Sequence, residues 1–255
     1  MKRGEQYAAP AMLLEVEGLH KSYGAIVVAD GVGFTLERGE CLGVIGPNGA
    51  GKSSLFNLLC GLAVPERGSI VLDGEQMVGL AAHQRARRGI ARAFQVPQPF
   101  VHLSVYENAL AAATFGAGLH GDAAARAAND ALARTGLHAK AALPAAALPL
   151  LDRKRLELAK GIASRPKLLL LDEVAGGLTE REVHPLVALV RELKHDYAIV
   201  WVEHITHALK SVADRVMVLH FGRKLIEDLP QRVMDSAVVR EIYMGVPDGG
   251  DAARA

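Results

Sequence analysis

The chain has 255 residues, half of them hydrophobic and 22% charged, which provides a core for one large domain or two small ones and excludes a disordered chain. Its 29 Lys and Arg stand against 28 Asp and Glu, and a formal net charge of +1 gives no electrostatic grip on nucleic acid or an anionic membrane. A mean hydropathy of +0.17 invites a membrane reading, yet no apolar stretch reaches the roughly 18 residues of a spanning helix.

Residues 108–119 are apolar but too few, and 139–151 are interrupted by Lys140, Pro144 and Pro149. Lys2 and Arg3 are followed by Glu5 and Gln6 where the apolar segment of a signal peptide would begin, so the chain reads as soluble and cytoplasmic. Cys41 and Cys60 read as buried thiols rather than a disulfide framework.

In chain order, short β-rich runs come first, at 12–17, 19–23 and 33–37. Residues 41–45 form a compact apolar strand, and Leu55, Leu58 and Leu59 then fall at helical spacing over 52–60. A further strand at 69–72 ends in the turn pair Asp73-Gly74. From 96 to 165 the composition changes: about half of residues 123–147 are Ala, with no strand signal, as expected of a helical insert. Apolar runs at 168–171, 198–202 and 216–219 suit parallel strands buried on both faces, with a helix at 180–194 between the first two. After Phe221-Gly222, residues 223–227 read as a closing antiparallel strand. The fold class is therefore α/β.

Gly46-Pro47-Asn48-Gly49-Ala50-Gly51-Lys52-Ser53 has the spacing of Gly, four residues, then Gly-Lys-Ser, between a strand and a helix. Gly49 and Gly51 let backbone amides converge on phosphate oxygens without an intervening Cβ. The helix opening at Lys52 points its positive end at the same anion, Lys52 can reach the β- and γ-phosphates, and the Ser53 hydroxyl can ligate Mg²⁺. Against this stands the reading of a plain glycine-rich turn, which the strand–loop–helix context disfavours.

The strand at 168–171 ends in Asp172-Glu173. At that position Asp172 would lie beside Mg²⁺, holding it through water, and Glu173 would face the γ-phosphate and polarise the attacking water. The duller reading is a pair of carboxylates capping the next helix. Another strand end carries Glu203-His204, where a histidine contacts the γ-phosphate or serves only a structural part; His204 and His207 lack the further ligands of a metal site.

With these pieces in order, the sequence resembles the ATPase subunits of ATP-binding-cassette (ABC) transporters over nearly its whole length. The resemblance implies a phosphate-binding-loop NTPase core with an antiparallel β subdomain and a helical insert. It divides the single ABC domain of 1–255 into core segments 12–95 and 166–245, a helical subdomain at 96–165, and a flexible tail at 246–255. It also implies ATP and Mg²⁺ as ligands. Gly46, Asn48, Gly49, Ala50, Gly51, Lys52, Ser53 and Ser54 would bind the nucleotide, and Tyr23 would stack on adenine. Ser53, Gln95 and Asp172 would serve the metal, and Glu173, His204 and Gln95 the catalysis. Residues 46–62, 94–110, 175–178 and 242–245 look most like the branched-chain amino-acid uptake ATPases.

One departure matters. Where the family carries Leu-Ser-Gly-Gly-Gln, the segment that closes over ATP held by a second ATPase subunit, this chain has Leu148-Pro149-Leu150-Leu151-Asp152. Pro149 has neither hydroxyl nor N–H, Leu151 puts a side chain where backbone must approach, and Asp152 brings like charge to an anion. Arg153, Lys154 and Arg155 would offset part of this, or Asp152 is simply the N-cap of the helix running to 163.

The expected partners are accordingly a second, different ATPase chain with an intact signature, transmembrane permease subunits, and indirectly a solute-binding protein, on the inner face of the membrane. The alternative is a regulatory subunit that binds nucleotide and hydrolyses weakly. Arg85, Arg87 and Arg88 read as a solvated helix face rather than a nucleic-acid patch.

Overall fold

The computed structural model describes residues 12–244. The expected tail at 246–255, and Gly245 of the 242–245 run, lie outside the described residues. Strand β1 (Met12–Tyr23) and β2 (Ile26–Glu37) form an antiparallel hairpin. β3 (Cys41–Ile45) leads into helix α1 (Lys52–Cys60). β4 (Arg67–Leu72) then returns to pair with β1, and β5 (Glu75–Gln76) extends that edge through the Asp73-Gly74 turn, both residues of which have positive φ.

The two runs expected at 12–17 and 19–23 are one strand. Its register shifts at Gly18, where φ is +54°, and a Cβ on the facing Gly68 would lie 2.5 Å from the Glu17 carbonyl oxygen. β2 starts at Ile26 rather than at 33, because Asp30 and Gly31 interrupt its apolar pattern without interrupting its pairing.

Helix α2 (Ala82–Arg87) precedes β6 (Ile90–Ala93), a strand that the sequence reading missed. Ile-Ala-Arg-Ala has little intrinsic strand preference; parallel pairing with the buried strand β7 (Leu168–Asp172) holds it extended. Between these strands come α3 (Val105–Ala111), a π turn at 112–116, α4 (Gly121–Arg134) and α5 (Leu150–Ala163). The Ala-rich face of α4, with Ala124, Ala127, Ala128 and Ala131 buried, packs on α3 and α5. Helix α6 (Glu180–Leu193), β8 (Ala198–Val202), α7 (Thr206–Val212), β9 (Arg215–His220) and β10 (Arg223–Asp228) complete the sheet. The short helices α8 (Pro230–Met234) and α9 (Ala237–Met244) follow it.

The six-stranded sheet has the order β10-β9-β3-β8-β7-β6, parallel except for β10. Apolar clusters cover both of its faces, which is why β3, β7 and β8 read as unbroken apolar runs. Parallel alignment brings the carboxyl ends of β3, β6, β7 and β8 to one edge, with the loops that follow them. Among the described residues no helix is long and apolar enough to cross a membrane.

Arg85 corrects the solvated-face expectation. It is fully buried and donates to the carbonyls of Leu58, Leu59 and Leu80, closing the C-terminal end of α1. Arg85→Ala removes three hydrogen bonds and leaves the Leu59 and Leu80 carbonyls without that partner, while the Leu58 carbonyl keeps the Gly61 amide, so unfolding free energy should fall by about 2–3 kcal/mol in urea titration. An unchanged midpoint would mean these bonds contribute nothing net.

Candidate active site

Strand β3 is buried throughout and runs into Gly46, where a Cβ would lie 2.3 Å from the Leu219 carbonyl oxygen. At Gly51 φ is +104° and a Cβ would meet the Val28 oxygen at 2.4 Å. Only glycine lets the loop lie this close to its neighbours. Gly51 also gives α1 no side-chain cap, so the first-turn amides stay open to an anion.

Lys52 is buried, and its Nζ donates to the carbonyls of Gly46 at 2.6 Å and Pro47 at 3.1 Å, folding back over the loop. Burial pushes its ammonium below the usual lysine range, while Glu173 and Asp172 act in the opposite sense. A cleft of about 380 Å³ opens above, lined by Ile26 and Val28 of β2, every residue from Asn48 to Ser54, and Gln95 and Glu173. A cradle of glycine backbone with one lysine suits a polyphosphate, and the Ser53, Gln95 and Asp172 oxygens are the hard donors that Mg²⁺ prefers.

Three strand ends meet at Glu173. Gln95, following β6, donates from Nε2 to Glu173 Oε2 at 2.5 Å, and His204, following β8, places Nε2 2.8 Å from Oε1. Glu173 itself, following β7, has φ of +45° and an amide bonded to the Val202 carbonyl at 2.9 Å. A bulky residue in the left-handed region costs on the order of 1 kcal/mol and fixes where its carboxylate points.

Asp172, one residue earlier, is buried at the end of β7 and is not among the cleft-lining residues. Its Oδ2 accepts from Arg92 Nη2 at 2.5 Å, and Arg92 also reaches Asn57 Oδ1 at 2.8 Å, with its guanidinium over the rings of Phe94 and Phe56. Arg92 had no part in the sequence reading; a charge inside an otherwise apolar four-residue run was its one signal. Tyr23 is half exposed at the end of β1, beneath the Lys21 ammonium, and is not among the cleft-lining residues; its hairpin partner Ile26 is.

The 148–152 segment corrects two expectations. The N-cap of α5 is Pro149, not Asp152, and no side chain caps the helix. Asp152 is buried and paired with Lys140 and, at 3.4 Å, with Arg155, so its charge is spent inside the fold rather than directed at a nucleotide. The neighbouring cations are equally engaged. Arg153 donates to the carbonyls of Leu148 and Ala146, and buried Lys154 donates to the Gln95 carbonyl at 3.0 Å. Leu150 stays exposed beside Gly177.

The ABC transporter family profile matches residues 29–176. Over 91% of this chain and 98% of the relative, the sequence is 34% identical to the high-affinity branched-chain amino acid transport ATP-binding protein BraF of Pseudomonas aeruginosa. The chain belongs to the ABC transporter family. Another relative of this ABC ATPase is the lipopolysaccharide export system ATP-binding protein LptB of Haemophilus influenzae, 31% identical over 91% of this chain and 97% of that protein. The fold of this ABC ATPase matches a crystal structure of an ABC transporter's ATP-binding cassette in its ADP conformation, with a TM-score of 0.84 at 24% identity, covering 92% of this chain and all of that one.

Proposed function

We propose that this ABC ATPase is the ATP-hydrolysing subunit that powers uptake of branched-chain or other apolar amino acids, or related small molecules. The observation that carries its hydrolytic half is the convergence of Gln95 and His204 on Glu173 beside the phosphate loop, and its substrate half rests on the similarity to the branched-chain amino acid transport ATP-binding protein BraF. In this reading the Lys52 ammonium exchanges the Gly46 and Pro47 carbonyls for the β- and γ-phosphates. Residues 46–54 cradle the polyphosphate with backbone amides, and Tyr23 swings over the adenine next to Ile26. Ser53, Gln95 and Asp172 would hold Mg²⁺, which supplies neutralisation of charge on the phosphate oxygens. Arg92 keeps the Asp172 carboxylate fixed at the end of β7.

Glu173 is the base. Its carboxylate, oriented on one side by Gln95 and on the other by His204, takes a proton from the attacking water. His204 then faces the γ-phosphate. This full hydrolytic set favours a turning-over ATPase over a purely regulatory subunit. Pro149, Leu150 and Leu151 cannot supply the hydroxyl and close backbone approach of the family signature, so the partner is a second ABC ATPase with an intact one. Permease subunits would hold the pair on the cytoplasmic side of the membrane, docking on the 95–106 region and the helical insert, with a solute-binding protein acting through them.

The test is twofold. Lys52→Met should weaken Mg-ATP binding to the purified chain at least about tenfold, because a charge-assisted contact to phosphate is lost. In cells where that variant replaces the native chain, uptake of labelled leucine, isoleucine and valine should fall to background. Undiminished uptake of all three would overturn the substrate reading while leaving the ATP site intact.

A further inference from the structure

A second cavity, of about 420 Å³, lies on the far side of the Glu203-His204 turn. It is lined by the apolar side chains of Ile45, Met234 and Val239, by Glu203, His204 and Thr206, and by Lys210 and Arg240. Its volume falls in the roughly 300–1,000 Å³ range of small-molecule sites. Two charge imbalances mark it.

Glu203 is 1% exposed and accepts from the amides of Ala175 at 2.8 Å and His204 at 3.2 Å, but no ion pair neutralises it among the described residues. The buried Lys154 ammonium, in electrostatic range, is bonded to the Gln95 carbonyl instead. Burial pushes the Glu203 carboxyl above the usual carboxylate range, while the hydrogen bonds it accepts, the Ala175 and His204 amides first among them, act in the opposite sense. Buried charges are ordinarily paired. Conversely, Lys210 and Arg240 are exposed at the same cavity, and neither forms an ion pair among the described residues.

We propose that this cavity binds an apolar α-amino acid, with its ammonium at Glu203, its carboxylate at Lys210 and Arg240, and its side chain against Ile45, Met234 and Val239. A zwitterion with an aliphatic or aromatic side chain satisfies both imbalances and the apolar lining at once; a simple carboxylate or amine satisfies only one. His204 lines this cavity while its Nε2 sits 2.8 Å from Glu173 on the cleft side. An occupant therefore bears on the ring that orients the proposed base. The binding chemistry stands on these residues alone. Its regulatory sense, restraint of hydrolysis when apolar amino acids accumulate inside, rests on the proposed uptake function.

The experiment is calorimetric titration of the nucleotide-free chain with leucine and with phenylalanine, alongside 4-methylpentanoate and 3-methylbutylamine, which lack the ammonium and the carboxylate respectively. At least one amino acid should bind saturably with Kd below about 1 mM, and both truncated analogues about tenfold more weakly or worse. Arg240→Glu and Lys210→Glu, both at exposed positions, should each weaken binding about tenfold with unchanged melting temperature. In protein labelled with ¹⁵N-histidine, the His204 ring signal, assigned through His204→Ala, should shift along the same saturation curve. Absence of saturable binding, equal binding of either analogue, or affinity indifferent to both charge reversals would overturn the site. Binding with a stationary His204 signal would overturn the link to hydrolysis. None of these outcomes alters the uptake result for Lys52→Met, so the two readings fail separately.

Discussion

Replacing Pro149 by Ser and both Leu150 and Leu151 by Gly raises ATP turnover by the purified chain about 100-fold or more. In the proposed pairing of identical chains, each signature segment would close over nucleotide held by the other copy. Pro149 offers no amide donor, and Leu150, where the family signature has glycine, stands exposed beside Gly177. Restoring a hydroxyl and an unobstructed amide returns two charge-assisted hydrogen bonds, together roughly 3–6 kcal/mol in closing the pair. Two glycines in the first turn of α5 cost on the order of 1–2 kcal/mol of helix stability, which leaves a net gain. Asp152 is left in place because its charge is already held by Lys140 and Arg155. Turnover of the triple variant equal to that of the parent, with the variant folded and binding ATP, would show that the segment is not what limits hydrolysis.

The second large effect is the loss of turnover on Glu173→Gln, measured in that repaired chain so that there is activity to lose. The amide keeps the size and most contacts of the carboxylate but cannot accept the proton of water. Loss of a positioned base costs about 10²–10⁴-fold, so turnover should fall by at least 100-fold. Mg-ATP affinity should stay within a few-fold of the parent, because Lys52 and the loop amides remain. Turnover within about tenfold of the repaired parent would remove Glu173 from the base role and leave the Gln95–Glu173–His204 cluster as scaffolding.

What the sequence made legible was local chemistry. The phosphate loop is contiguous, and β3, β7 and β8 announce themselves because strands buried on both faces need no polar alternation. Glu173 and His204 stand out in the sequence because each lies within two residues of the end of such a run. The contacts that finish the site were out of reach of any local pattern. Arg92 and Asp172 are 80 residues apart in sequence, Lys154 and Gln95 are 59 apart, and only the folded sheet brings them together. β6 was missed because its extended form comes from its neighbour rather than from Ala and Arg. Asp152 was misplaced because an aspartate suits both an N-cap and the first helical turn, and only the position of the backbone at Pro149 decides between them.

The central claim is that this chain holds a competent ATP site and hydrolytic groups but lacks the signature needed to work as a pair of identical copies. Steady-state ATP hydrolysis by the unmodified purified chain, at a Mg-ATP concentration shown by parallel titration to saturate it, tests this most directly. The account predicts clear nucleotide binding with turnover barely above the uncatalysed background. Turnover at the level of a working transporter ATPase, abolished by Glu173→Gln, would contradict it and make Leu148–Asp152 a functional signature in its own right.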